Sequence, residues 1–313
     1  MRYRTLGRTG LSVGEVSFGG VGAMGKYGPV TAEQFSQVMS HASERGMNLL
    51  DTAPAYGKSQ SVFGHHLANH RENWLICTKI GDCGPGDGGT FEPDVDQIIS
   101  IVPQSLKDLQ TDYVDILLIH SIEQYGAGAA AVEKILERGG LVDAMRQLQR
   151  DGRVRFIGVS GHVNELCHAV RTAEFDVALT YNSFNLLVQE AQTELFPIAR
   201  EQNTGLLLGG ALYQGLLAGL TDFLMPRKDS FFEKSDPAFY RTDQLVARAA
   251  RLLEFFDGDP RSLRQGAIRF SLSDPAVGSI LSAMYLAEHV QENCAASDLP
   301  PLTPSEIETL LVV

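Results

Sequence analysis

Short apolar runs recur between amphipathic segments along the whole chain, and this alternation constrains the fold more than any single motif does. EVSF near residue 15, NLL at 48, WLICTKI at 74, YVDILLIH at 113, RFIGVS at 155, VALTYN at 177, GLLLGGAL at 205 and VGSILSA at 277 make a set of eight. Short runs rich in Ile, Leu and Val suit strands of a parallel sheet covered on both faces. Helical patterns fill the intervals, at residues 31–45, 58–70, 94–110, 140–150, 163–173, 191–202, 242–256 and 260–272. The first opens with Thr31-x-x-Gln34, a capping box, and Pro103 is expected to kink the third.

Eight β/α units in 313 residues, with no Pro/Gly/Ser-rich linker, predict one (β/α)8 TIM-barrel domain over residues 1–313. YRTLGRTGLSV reads as two short strands around a glycine-rich turn, an N-terminal β-hairpin closing the bottom of the barrel. Long loops are expected at 81–92, 121–139 and 212–241. Each follows a strand, so each falls on the C-terminal face, where barrel enzymes keep their chemistry.

GGVGAMG, at residue 19, contains Gly20-x-Gly22-x-x-Gly25, the spelling of a dinucleotide-binding turn. In a doubly wound fold the helix would start inside that turn, so that its N-terminus meets the pyrophosphate. Here KYGPV intervenes, and Gly28-Pro29 delays the helix to Thr31. Asp51 does follow the second strand, where a ribose-binding carboxylate would sit. The confirming context of the motif nevertheless fails, and the barrel is the better reading.

Composition sets the class. Hydrophobic residues at 44% and charged residues at 20% describe an ordinary soluble protein. A formal charge of −12 argues against nucleic acid or anionic membrane as a partner. No apolar run approaches the ~18 to 20 residues that span a bilayer, and MRYRTLGRTG has no apolar core of signal-peptide length. Cys77, Cys83, Cys167 and Cys294 show no paired spacing, which suits reduced thiols in a cytoplasmic enzyme.

Chemistry concentrates at three consecutive strand ends. Asp51 opens DTAPAYG after the second strand, with Tyr56 inside it; Lys79 ends the third strand and His120 the fourth. At such positions in a barrel, ionisable residues read as catalytic. A single strand-end Asp is more often a helix cap, and a lone Tyr packing, but four at matched depth are hard to explain that way.

These landmarks resemble the aldo-keto reductase family over essentially the whole chain. The resemblance rests on RTLGRTGLSV, DTAPAYG, Lys79, LLIH ending at His120, GRVRFIGVSG and HVQEN. FGG and GGALYQGLLAG are similar, more loosely, to bacterial sugar and lactol dehydrogenases of that family. The resemblance implies an NAD(P)-dependent oxidoreductase that interconverts a carbonyl or sugar hemiacetal and its alcohol or lactone. Tyr56 is then the proton donor and acceptor, Lys79 stabilises its phenolate, Asp51 pairs with Lys79, and His120 hydrogen-bonds the carbonyl oxygen. The cofactor NAD(P)(H) would meet Gly20, Val21 and Asp51, with Ser160 at the carboxamide. Gly209, Gly210, Ala211, Leu212 and Gln214 would lie at the pyrophosphate, and Glu292 and Asn293 near adenine. Gly20 is expected to be glycine so that backbone approaches the cofactor closely.

Departures from the family pattern are informative. Gly161 and His162 follow Ser160 where relatives often carry Asn, and Gly209 stands where a stacking aromatic is common. Where NADP-preferring relatives place Lys or Arg, this chain has Ala283, Met284 and His289, so NAD is at least acceptable. Arg227 or Lys228 could compensate, which leaves NAD against NADP open. A small-molecule carbonyl or sugar is the expected partner; the oligomeric state is not legible.

Other functions compete with this one. A nicotinamide-binding sensor or scaffold of the same fold, with little turnover, is the alternative in another class. An unrelated barrel isomerase is a third, though no set of metal-binding carboxylates supports it. His65, His66 and His70 cluster, but HExxH is absent and a solvated helix face is the simpler account. Asp94 and Asp96 suit the first turn of a helix. Tyr125, Phe231, Phe232 and Tyr240 either wall a substrate pocket or anchor loops.

Overall fold

The computed structural model describes residues 1–24, 31–81, 94–219 and 243–313. A hairpin of β1 (Tyr3–Thr5) and β2 (Ser12–Gly14) pairs antiparallel, Tyr3 opposite Gly14. Eight strands follow: β3 (Val16–Gly19), β4 (Leu49–Asp51), β5 (Leu75–Ile80), β6 (Val114–Ile119), β7 (Val154–Gly161), β8 (Val177–Tyr181), β9 (Gly205–Gly209) and β10 (Val277–Ala283). All pair in parallel and close in the order β10-β3-β4-β5-β6-β7-β8-β9, a (β/α)8 barrel.

The helices are α1 (Ala32–Glu44), α2 (Ser59–Leu67), α3 (Val95–Ile99), α4 (Ile101–Asp108), α5 (Ala129–Ile135), α6 (Leu141–Arg150) and α7 (Val163–Arg171). Then come α8 (Glu190–Thr193), α9 (Leu195–Glu201), α10 (Asp243–Phe255), α11 (Pro260–Ser271), α12 (Ala287–Asp298) and α13 (Pro304–Val312). The expected capping box on α1 forms between Thr31 and Gln34. No helix among the described residues is long and apolar enough to cross a membrane.

Three expectations need correction. The predicted helix at 94–110 breaks at Ser100 into α3 and α4 rather than kinking, because Pro103 has no N–H and its ring excludes the carbonyl one turn earlier. Pro197 accompanies the same division between α8 and α9. The stretch 121–139 is not an open loop: it holds a 3-10 turn, Ile122–Tyr125, and α5, which buries Ala131, Val132 and Ile135. Beyond the last strand, α12 and α13 were not among the expected helices, although α13 carries a capping box of Thr303 and Glu306.

Two apolar layers follow from strand periodicity. Leu49, Cys77, Ile116, Leu118, Val177, Leu179, Leu207 and Leu281 fill the barrel, closed below by Leu6, Leu11 and Val13 of the hairpin region. Phe18, Ile76, Leu117, Ile119 and Leu208 face the helices instead. Side chains alternate along a strand, so each interior residue fixes its partner two positions on. By that parity Asp51, Lys79, Tyr181, Gly209 and Ala283 point into the mouth at the C-terminal end. His120 extends the series one residue past β6, its N–H bonded to Ile80 O at 2.8 Å.

His65 and His70 are exposed, as a solvated face requires, but that expectation is wrong for His66. Its side chain is buried, with Nδ1 2.9 Å from Ser36 Oγ. Its ring stacks on His70 at 4.5 Å and meets Trp74 edge-on at 6.3 Å. Among the described residues no three His, Cys, Asp or Glu are grouped to hold a metal ion. Burial, then His70 and His65, push the His66 pKa down to about 4. An unfolded chain takes up this proton near pH 6.5 and the folded one only near 4. Stability is therefore expected to be full above pH ~6.5 and to fall between there and pH ~4, by on the order of 3 kcal/mol from this residue. Denaturant unfolding of wild type and His66→Gln at pH 7 and pH 4.5 checks this; the variant should lose less.

Candidate active site

Lys79 and Asp51 meet inside the barrel mouth. Nζ lies 2.5 Å from Asp51 Oδ1 and donates to Thr52 O at 2.9 Å, with both side chains buried. Burial by itself would lower the lysine pKa, but the Asp51 carboxylate and, next, the Tyr56 phenol outweigh it and hold the ammonium charged well above its usual range. Burial and, next, Asp51 also push the neighbouring Cys77 thiol up, so it stays protonated.

Tyr56 reaches this pair from a 3-10 turn, Pro54–Tyr56, that starts directly after β4. Thr52 anchors the turn: its N–H bonds to Cys77 O at 2.9 Å and its hydroxyl lies 2.9 Å from Ser59 Oγ. Ser59 in turn donates to Gly20 O at 3.1 Å. Lys79 Nζ sits 4.8 Å from the centroid of the Tyr56 ring. The His120 ring meets Tyr56 edge-on, centroids 5.8 Å apart. The four residues expected from the sequence are thus one cluster, with Thr52 and Ser59 as its unforeseen supports.

Beside the cluster the strand ends carry small residues, Gly19 being in register with Asp51. Gly19, Ala283 and Gly209 end the adjacent strands β3, β10 and β9, with Ala283 in register with Gly19. Three neighbouring strands thus end in residues with little or no side chain. Gly210, Ala211, Leu212 and Gln214 continue from β9 into a 3-10 segment, Tyr213–Ala218.

Several expected cofactor contacts are already engaged within the protein. Gly20 opens the turn Gly20–Met24, which includes Val21. A Cβ at Gly20 would lie 2.4 Å from Asp51 O and 2.8 Å from Ser59 Oγ, so the chain's own packing already requires this glycine. Ser160 is fully buried, accepting from Ser121 N–H at 3.1 Å and donating to Ile119 O at 3.4 Å. Asn293 donates to Ser282 Oγ at 2.9 Å. Glu292 pairs with Arg264 at 2.5 Å, and Arg264 also donates to Ala218 O at 3.0 Å. Arg264 lies on α11, and nothing in its local sequence pointed to this place. Burial lowers the His289 pKa despite Glu292 nearby, so its ring, edge-on to Tyr285 at 4.6 Å, is neutral.

Tyr125 is an anchor: it is buried and donates to Gly81 O at 3.0 Å. Asp94 caps α3 through Gln97 N–H at 3.0 Å, and Asp96 lies in its first turn. Cys77, Cys167 and Cys294 are buried free thiols. Cys83, Arg227, Lys228, Phe231, Phe232 and Tyr240 lie outside the described residues.

Comparison with known proteins agrees with this geometry. The profile described as the Aldo/keto reductase family matches residues 15–311. The chain belongs to that family. Members are oxidoreductases that use NAD(P)(H) and act on small-molecule carbonyl compounds. L-galactose dehydrogenase of Arabidopsis thaliana is 26% identical, covering 99% of this chain and 94% of its own length. D-threo-aldose 1-dehydrogenase of a Pseudomonas species is 24% identical, over 93% and 92% of the two chains. In fold, the holo form of an aldo-keto reductase from Bacillus halodurans superposes with a TM-score of 0.78 at 22% identity, covering 99% of this chain and 95% of that one.

The buried pair generates a stability prediction. Asp51→Asn strands a buried ammonium and is expected to cost about 3 kcal/mol or more. Asp298→Asn, which breaks the exposed bridge to Arg45 at 2.6 Å, is expected to cost under about 1 kcal/mol from that pair. Asp51→Asn combined with Lys79→Met should recover much of the first loss. Urea unfolding of the three variants measures the order.

Proposed function

We propose that the protein catalyses reversible NAD(P)-dependent oxidation of a sugar-like hemiacetal or alcohol, with Tyr56 exchanging the proton. The observation that carries this reading is the Lys79 ammonium, fixed by Asp51 and placed 4.8 Å from the Tyr56 ring. An adjacent cation favours phenolate over phenol, which prepares Tyr56 Oη to take a proton from the substrate hydroxyl or return it to a carbonyl oxygen. His120, edge-on to Tyr56, is placed to hydrogen-bond the same oxygen and orient it. The bound nicotinamide cofactor supplies or accepts the hydride.

The residues present suit such a cofactor. The small strand-end residues Gly19, Ala283 and Gly209 lie beside the charged cluster. Gly20, Val21, Asp51, Gly209, Gly210, Ala211, Leu212, Gln214, Glu292 and Asn293 would hold it. Ser160 would serve it indirectly, by fixing the turn after β6. NAD is favoured in this reading: His289 is neutral, and a 2′-phosphate would have to compete with Glu292 for Arg264. The aldose and galactose dehydrogenases among the relatives support a sugar-like substrate.

Aldoses offered with NAD and with NADP, followed by absorbance of the reduced cofactor, test the reaction. Turnover with NAD is expected to exceed that with NADP. Tyr56→Phe is expected to lower kcat by about 10²- to 10⁴-fold while cofactor affinity, read by fluorescence, changes little. A Phe variant with near-normal kcat would show that Tyr56 is not the proton carrier.

A further inference from the structure

A second polar group faces the same mouth and is not used by the proposed reaction. Glu123, on the turn after β6, accepts from the Tyr181 hydroxyl at 2.9 Å and from the His162 backbone N–H at 3.3 Å. The His162 ring lies edge-on to Tyr181, centroids 5.6 Å apart, with Nε2 3.8 Å from Glu123 Oε1. Tyr181 packs against the interior cluster of the barrel, at the level of Gly209 on the next strand. The three residues therefore crown β6, β7 and β8, with Glu123 three positions beyond His120.

The Glu123 carboxylate lies against Gly161 at the end of β7. A Cβ at that position would lie 2.5 Å from Glu123 Oε2 and 3.0 Å from Ile122 Cγ1. Its φ is not in the left-handed region, so a side chain here would be resisted by contact with Glu123 and Ile122 and not by backbone conformation.

The chemistry of the group selects its ligand. A carboxylate offers about four lone-pair positions, and the Tyr181 hydroxyl and the His162 N–H occupy two. Glu123 keeps 21% of its side chain exposed, so an incoming donor reaches it. Phosphate is repelled, while hydroxyl donors are accepted. The small residues proposed for the cofactor end β9, β10 and β3; β6 and β7, which carry Glu123 and His162, stand opposite β10 and β3, while Tyr181 on β8 borders Gly209. We propose that Glu123, oriented by Tyr181 and His162, binds hydroxyl groups of a polyhydroxylated substrate and sets the enzyme's preference for it, an inference that rests on the oxidoreductase reading above.

Glyceraldehyde and propanal test it, since they share a three-carbon chain and an aldehyde and differ by two hydroxyls. Reduction of each is followed for wild type, Glu123→Gln and Tyr181→Phe, with NADH binding measured by fluorescence. The ratio of kcat/KM for glyceraldehyde over propanal is expected to fall about 10- to 100-fold in Glu123→Gln. A smaller fall in the same direction is expected in Tyr181→Phe, which keeps the ring and removes only the orienting hydroxyl. An unchanged ratio overturns the inference, as does an equal loss on both aldehydes, which marks a structural role. A parallel loss of NADH affinity overturns it too, because Glu123 then serves the cofactor. Wild-type protein that reduces neither aldehyde overturns the reaction itself, whereas the ratio overturns this inference alone.

Discussion

Burying an ammonium in the mouth of a barrel is unfavourable unless its counter-charge is buried with it. Lys79 and Asp51 meet that condition at 2.5 Å, on adjacent strands β5 and β4. Among the described residues neither side chain has a second ion-pair partner, so the pair fixes both. Lys79 is further held by the Thr52 carbonyl, which places the turn bearing Tyr56 in the same construction. The geometry that prepares the phenol is therefore the geometry that stabilises this part of the mouth.

Strand periodicity explains why the cluster is legible in the sequence. An inward residue at Leu49 makes Asp51 inward, and Cys77 does the same for Lys79. Ionisable residues at the ends of successive apolar runs therefore belong to one layer of the barrel. The closed order of strands, the hairpin below and the capping box on α1 are legible for similar local reasons. Where the expectations fail, the cause is also local: Pro103 divides a helix, and AAVEKI after β6 is helical enough to form α5.

What stays hidden depends on contacts between distant parts of the chain. Arg264 and Glu292 pair across 28 positions, and no local pattern announces it. The family resemblance explains Gly20 by close approach to a cofactor, and the packing that adds Asp51 O and Ser59 Oγ as atoms excluding a side chain there is not visible locally. His66 looks like a surface histidine because it clusters with His65 and His70, while Trp74 and Ser36 enclose it. Tyr181 obeys the same strand-end rule that finds Lys79. It escapes notice because its partner Glu123 lies 58 positions away.

The dependence of Tyr56 on its neighbouring ammonium is best measured through the pH profile of kcat/KM for aldose oxidation. The wild type is compared with the double variant Asp51→Asn/Lys79→Met, which removes both charges and leaves neither stranded. With the ammonium gone, phenolate loses its stabilisation, and the rising limb of the profile is predicted to move to higher pH by at least about one unit. A limb at the same pH in both proteins would contradict the account.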